Sequence, residues 1–317
     1  MRFDLRDPDL AHLMRGVQHG VVARWQIEDL GGKESDIRRM VRRRELAMVH
    51  PDVYVDHTGQ LSRAQREWVG VLAGWPAALT NDSALPKPRS SAIHIAIHLG
   101  RTVTVPRFVV PHRTANLDAL VDWRAGPPTV QLEHALINVL SQHIRADDVA
   151  AAYAELAATA FTRLTTPDLL LAALASRSRV AGRTLIRAMT LDLRDGVCSV
   201  LERGYLQRVE RAHGLPRGER QVRSQATGRA SDQDVRYEKY GLIVELNGRL
   251  WHDNPHAWDD DARRDLAELA TSDRLTARVT YGLVFREQCQ TVAWIASILS
   301  RLGWRGELRR CPRCPPR

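Results

Sequence analysis

Residues 231–248 read SDQDVRYEKYGLIVELNG, and the folding of that stretch decides the nature of the C-terminal third of the chain. Two apolar-rich strands meet at the four-residue turn Glu238-Lys239-Tyr240-Gly241. If the turn is centred between 239 and 240, position 234 pairs directly with position 245. Asp234 and Glu245 then share one face with Cβ atoms about 5 Å apart. Two carboxylates at that spacing repel by roughly 3 kcal/mol at an effective dielectric near 20. A divalent cation bridging both offsets that cost, and hard oxygen ligands suit Mg²⁺ or Mn²⁺. A register slipped by one residue would place the two acids on opposite faces as a solvated pair. Leu242, Ile243 and Val244 argue for a buried strand.

The neighbouring segments suit a sheet flanked by helices. The order expected from 199 onward is helix (199–213), strands (220–226, 233–239 and 242–247), helix (260–270), strand (277–285) and helix (289–302). Ser199 and Glu202 fit a capping box, in which Glu202 returns to the backbone N–H of residue 199. Asn247 shares the face of Glu245 by the two-residue period and can orient a water, though it cannot accept a proton as a base. Lys239 sits at the hairpin tip, about 15 Å away at 3.4 Å per residue. His252 suits water activation or leaving-group protonation, against the alternative of a surface histidine. Arg264 is placed to contact phosphate and Asp265 to stabilise the site.

Asp234, KYGLIVELNG, His252 and the ARRD at 262–265 resemble the PD-(D/E)XK nuclease superfamily, in particular the group similar to very-short-patch-repair endonucleases, over roughly residues 196–305. The resemblance implies that Asp234 and Glu245 are metal-binding carboxylates, that the backbone carbonyl of Leu246 is a further ligand, and that Glu202 is the acid of the preceding helix. The superfamily's lysine, two residues after the glutamate, is Asn247 here, where relatives of this type carry aspartate.

At the other end of the chain, Asp7-Pro8 reads as an N-cap with proline in the first turn, opening a helix to about Gln18. Val21-Val22, a helix over 25–30 closed by Gly31-Gly32, a third helix from Ser35 and the hairpin LAMVHPDVYV (46–55) follow. In the third helix Ile37, Met40 and Val41 form one stripe, which leaves Arg38, Arg39, Arg42 and Arg43 facing outward. Helix, helix, basic helix, hairpin is the winged helix-turn-helix order. Exposed arginines there supply phosphate neutralisation and contacts to guanine; a solvated arginine face on a packing domain is the alternative. GVVARWQIEDLGGKESDIRRMVRRRELAMVHPDVYV resembles the N-terminal domain of AbiE-type antitoxins of type IV toxin-antitoxin systems. That implies operator binding and a cognate toxin as partner, and by itself no nuclease.

The 317 residues thus divide into a winged helix (1–60), a mixed, mostly helical middle domain (61–195) and an endonuclease-like domain (196–317), an α+β multidomain chain. In the middle, helices are expected over 131–143, over 147–161 opened by Asp147, over 167–176 and within 178–195, with strands in IHIAIHLGRTVTVPRFVVPHR. His94 and His98 share a strand face, with a polar edge preferred over a metal site. The formal charge of +9 comes almost wholly from arginine, concentrated at 33–44 and 176–230. DNA is the expected partner, with RNA, a homodimer and a cognate toxin as further alternatives. A charged N-terminus and the absence of an 18-residue apolar run point away from a membrane and to the cytoplasm. Four cysteines do not make a disulfide framework. Cys198 and Cys289 read as core residues, and Cys311 and Cys314, a lone CxxC, as structural or incidental.

Overall fold

The structure, a computed structural model, describes residues 3–195, 199–227, 231–247 and 255–315. Cys198 and His252 lie outside the described residues, so the readings made of them rest on sequence alone. Among the described residues the chain is an α+β mixture with three sheets, and it divides into two compact units, Met1–Val139 and Leu140–Arg317. The segment 61–195 falls partly in each.

In the first unit the side chain of Asp7 accepts from the N–H groups of Asp9 and Leu10, capping Pro8–Ala11, which continues as a π-helix over His12–Val17. β1 (Val21–Ala23), the helices Arg24–Asp29 and Glu34–Arg42, and the hairpin β2 (Ala47–His50) and β3 (Val53–Val55) complete an antiparallel sheet of order β1-β3-β2. Leu10, Met14, Ile27, Ile37, Met40 and Leu46 form the core between the sheet and these helices.

The helix Arg63–Ala73 begins with a reciprocal Ser62 and Gln65 capping box. Its first half is polar, whereas residues 68–73 are apolar, because both sides of that half are used. Trp68, Val69 and Leu72 pack on the first sheet, while Val71 packs on Leu79, Ile93 and Ile95 of a second. That sheet contains β4 (Ala77–Leu79), β5 (Ile93–His98), β6 (Val109–Thr114), β7 (Val121–Asp122) and β8 (Thr129–Val130) in the order β6-β5-β4-β8-β7. β5 and β6 pair in parallel, so the chain between them must return along the sheet and cannot form a hairpin. Residues 101–105, expected to be extended in a strand, are accordingly loop. Arg101 pins them by donating to the carbonyls of Gly74, Trp75 and Pro76.

The second unit carries helices Val149–Phe161, Pro167–Ser176, Arg183–Asp195 and Ser199–Gly204, the last continuing as a π-helix over Tyr205–Arg211. Asp148, not Asp147, caps the first of these by accepting from Ala151 N–H; Asp147 takes a left-handed φ of 57° ahead of it. β9 (Glu219–Ser224), β10 (Ser231–Tyr237) and β11 (Leu242–Asn247) run antiparallel. β12 (Leu275–Thr280) joins β11 in parallel after the helix Pro255–Ser272, giving the order β12-β11-β10-β9. Gly241 at φ 61° closes the β10–β11 turn, a conformation glycine adopts without a Cβ penalty.

The strand expected over 277–285 ends at Thr280, and Tyr281–Phe285 is helical. The β-branched and aromatic composition of this stretch hid a four-residue spacing that buries Tyr281 and Phe285 together. Tyr281 stacks on Tyr153 with ring centroids 3.8 Å apart. Phe285 lies against Gly204, where a Cβ would come within 2.4 Å of its ring. The chain ends with helix Gln288–Arg301 and an irregular tail.

Candidate functional site

The hairpin register is the one that pairs Asp234 with Glu245. Val235 lies opposite Val244, Arg236 opposite Ile243 and Tyr237 opposite Leu242, and one further step brings the two acids face to face. The same row extends in both directions. Gln221 stands opposite Asp234 between the pairs Val222–Gln233 and Arg220–Val235, and Glu245 is in register with Arg278. Gln221, Asp234, Glu245 and Arg278 therefore cross all four strands in one line, backed by the buried Val235, Val244 and Leu246.

The row is tied together by polar contacts. Leu246 N–H donates to Asp234 Oδ2 at 2.7 Å. The Gln221 amide donates to Glu202 Oε1 at 2.7 Å and, at 3.5 Å, to Asp234 Oδ1. Gln221 does this from a left-handed φ of 49° within β9, an unusual state for a side-chain-bearing residue in a strand. Glu202 thus faces the site through Gln221, while Ser199 donates to Asp192. Arg278 is held bidentately by Asp265 at 2.9 Å and by Asp261 at 3.0 Å, both on the helix Pro255–Ser272. Arg264 on that helix pairs with Asp261. Glu245, Arg264, Asp265 and Arg278 line one cleft.

Burial, followed by the charge of Asp234, pushes the Glu245 carboxyl up to about 7; Arg264 and Arg278 oppose the rise without cancelling it. Asp234 is raised by burial against the opposing hydrogen bonds from Leu246 and Gln221, and its carboxyl lies within hydrogen-bonding reach of Glu245. Glu202 is raised by burial, then by Asp234 and Asp192. Three carboxyls in one poorly solvated patch stabilise either a shared proton or a cation. As oxygen donors, Asp234 and Glu245 suit a hard divalent ion. Asn247 ends β11 two residues beyond Glu245, in register with Thr280. Sequence reasoning placed Asp234, Glu245, Glu202 and Arg264 here and missed Gln221, which stands in the row from a left-handed backbone within β9, and Arg278, whose strand pairs with β11 in parallel after an intervening helix.

The arginines of helix Glu34–Arg42 divide. Arg38, Arg42 and Arg43 are exposed, with Arg38 also 2.5 Å from Glu34. Arg39, expected to face outward, is only 7% exposed: its guanidinium pairs with Asp36 and donates to the carbonyl of Phe3. Position 39 borders the Ile37 and Met40 stripe, and the N-terminal segment covers that border. His94 and His98 also separate. His98 is exposed, whereas His94 Nδ1 lies 2.9 Å from Nε2 of His112, which burial and then the His94 charge push down to about 4.

No family model and no curated protein matches the chain. A solved structure, described as the crystal structure of the RV2827C protein from Mycobacterium tuberculosis, is similar at 17% identity with a TM-score of 0.33, over 59% of this chain and 81% of that one.

Proposed function

We propose that the second unit is a metal-dependent phosphodiester hydrolase acting on DNA, and that the first sixty residues are a winged-helix reader that brings it to its site. The observation that carries the reading is the transverse row itself, two half-buried carboxyls opposed across a hairpin with arginines on one side and a strained glutamine on the other. Asp234 and Glu245 would hold Mg²⁺ or Mn²⁺, with the Leu246 carbonyl as a further ligand. The ion would supply charge neutralisation and an acidified water. Arg264, reaching the same cleft, supplies a cation for a scissile phosphate. Gln221 orients the Glu202 and Asp234 carboxylates, and Asn247 can hold a water in place. The exposed Arg38, Arg42 and Arg43 give the reader its phosphate-binding face. Supercoiled plasmid incubated with the protein and Mg²⁺ or Mn²⁺ should be nicked or linearised, and chelator or Asp234→Asn should stop it. Intact plasmid at saturating protein and millimolar metal refutes the hydrolase.

One observation favours a second reading, a DNA-binding regulator without turnover. Asn247 gives the site an amide where a proton acceptor would serve catalysis. Plasmid retardation without cleavage would select it.

A further inference from the structure

A second cluster of ligating side chains lies apart from the carboxylate row, in the same unit. His213 follows the π-helix Tyr205–Arg211, Cys289 lies in the first turn of helix Gln288–Arg301, and Cys311 and Cys314 belong to the C-terminal tail. One donor atom from each falls within 4.8 Å of all the others. The Cys289 and Cys311 sulfurs are 3.6 Å apart, and those of Cys311 and Cys314 are 3.8 Å apart. A tetrahedral zinc with Zn–S bonds of about 2.3 Å requires sulfurs roughly 3.8 Å from one another. A disulfide requires about 2.05 Å. An iron–sulfur cluster spaces its cysteines farther apart, since inorganic sulfide lies between them.

The histidine supplies an independent observation. His213 is 1% exposed, and its Nδ1 is 3.1 Å from the carbonyl of Val209, which fixes the proton there. Its Nε2 is buried and has no hydrogen-bond partner among the described residues. A neutral imidazole with Nδ1–H on a backbone carbonyl and a bare Nε2 is the form that binds zinc, and a buried acceptor left unpaired is costly without an ion. The sulfurs have outer partners of the same kind: the buried Gln288 amide donates to Cys311 Sγ at 3.7 Å, and the Arg313 N–H donates to the same sulfur. The tail from 304 to 311 has no regular structure and is drawn back by Arg309 N–H donating to the His213 carbonyl at 2.8 Å.

From this geometry we infer that His213, Cys289, Cys311 and Cys314 form a closed, four-coordinate structural zinc site that staples the C-terminal tail to the second unit. Four protein ligands leave no open position, so the ion does no chemistry on substrate. Cys289 is therefore not an ordinary core residue, and the CxxC is not a lone pair: its missing partners lie 22 and about 100 positions upstream in sequence and adjacent in space.

The test uses the full chain, purified reduced and without chelator from zinc-supplemented medium. Elemental analysis should give about one zinc per chain. Refolding with Co²⁺ should give the visible absorption of a tetrahedral cobalt–thiolate centre. Cys289→Ser and Cys314→Ser should lose the bound zinc, and Gln288→Leu should keep the stoichiometry while weakening affinity about tenfold or more. If the cysteine variants do not fold, the parent alone decides: zinc should lower its rate of cysteine alkylation and raise its melting temperature. Asp234→Asn should retain full zinc, which separates this site's failure from that of the hydrolase reading. Equal alkylation rates with and without zinc, or an oxidised Cys289–Cys311 crosslink in the zinc-loaded protein, would overturn the proposal.

Discussion

Asp234 and Glu245 oppose each other across β10 and β11, and Asp234 is anchored by a backbone donor, the N–H of Leu246 at 2.7 Å. Asparagine at 234 keeps an acceptor for that N–H while removing a charge from the pair. Asp234→Asn should therefore leave the metal-free melting temperature unchanged or raise it, abolish the shift that Mn²⁺ gives the parent, and eliminate cleavage while DNA binding persists. Melting curves with and without Mn²⁺ decide it. A lower metal-free melting temperature, with binding and cleavage lost together, would mean that Asp234 is structural.

Glu245 makes the same site sensitive to pH. Its carboxyl is raised by burial and then by Asp234 from an ordinary 4.5 to about 7, so the folded state holds the proton more tightly than the unfolded chain does. Stability from this group is full below pH 4.5 and falls as pH rises toward 7, by up to about 3 kcal/mol. Glu245→Gln should flatten that part of the profile and stabilise the metal-free protein above pH 7. Denaturant titrations of parent and variant at pH 5 and pH 8 provide the comparison. A parent loss that persists unchanged in the variant would assign the slope to other groups.

The hairpin was legible in the sequence because its turn is short and Gly241 ends it, so register followed from counting. Gln221 was not, since its approach to Asp234 depends on a left-handed backbone within β9 that no local pattern announces. Arg278 reaches Glu245 only through a parallel pairing made after an intervening helix. His213 and its three cysteines come from parts of the chain about 100 residues apart. Arg39 was misplaced because helical spacing identifies the buried stripe but not what covers its border.

That border residue allows stability to be tested apart from the proposed DNA binding of the first unit. Replacing Arg38, Arg42 and Arg43 with alanine should lower DNA affinity and reduce the salt slope by up to about one unit for each lost phosphate contact, with little change in melting temperature. Arg39→Ala should act differently. It leaves the half-buried Asp36 without its guanidinium and the Phe3 carbonyl without its donor, a loss of about 3 kcal/mol. Retardation assays at several salt concentrations, paired with melting curves, distinguish the two. Unchanged affinity and slope in the triple variant would remove this helix from the proposed DNA interface.

Gln221 offers a test of positioning within the proposed hydrolase. Its side-chain amide links Glu202 and Asp234, and its backbone sits at φ 49°. Asparagine tolerates that backbone better than most residues but is one methylene shorter. Gln221→Asn should hold the fold while withdrawing the donor from Glu202, a carboxyl raised by burial and by Asp234 and held down in part by this hydrogen bond. Without the bond the charged form loses a stabilising partner, so Glu202 should rise further. If cleavage requires the carboxylate, the acidic limb of the pH–rate profile then moves to higher pH and the rate at neutral pH falls, while the melting temperature stays close to the parent's. A merely structural Gln221 would lower the melting temperature and leave the profile where it was. A parent-like rate and profile in the variant would remove Gln221 from the catalytic arrangement and leave its backbone strain without a function.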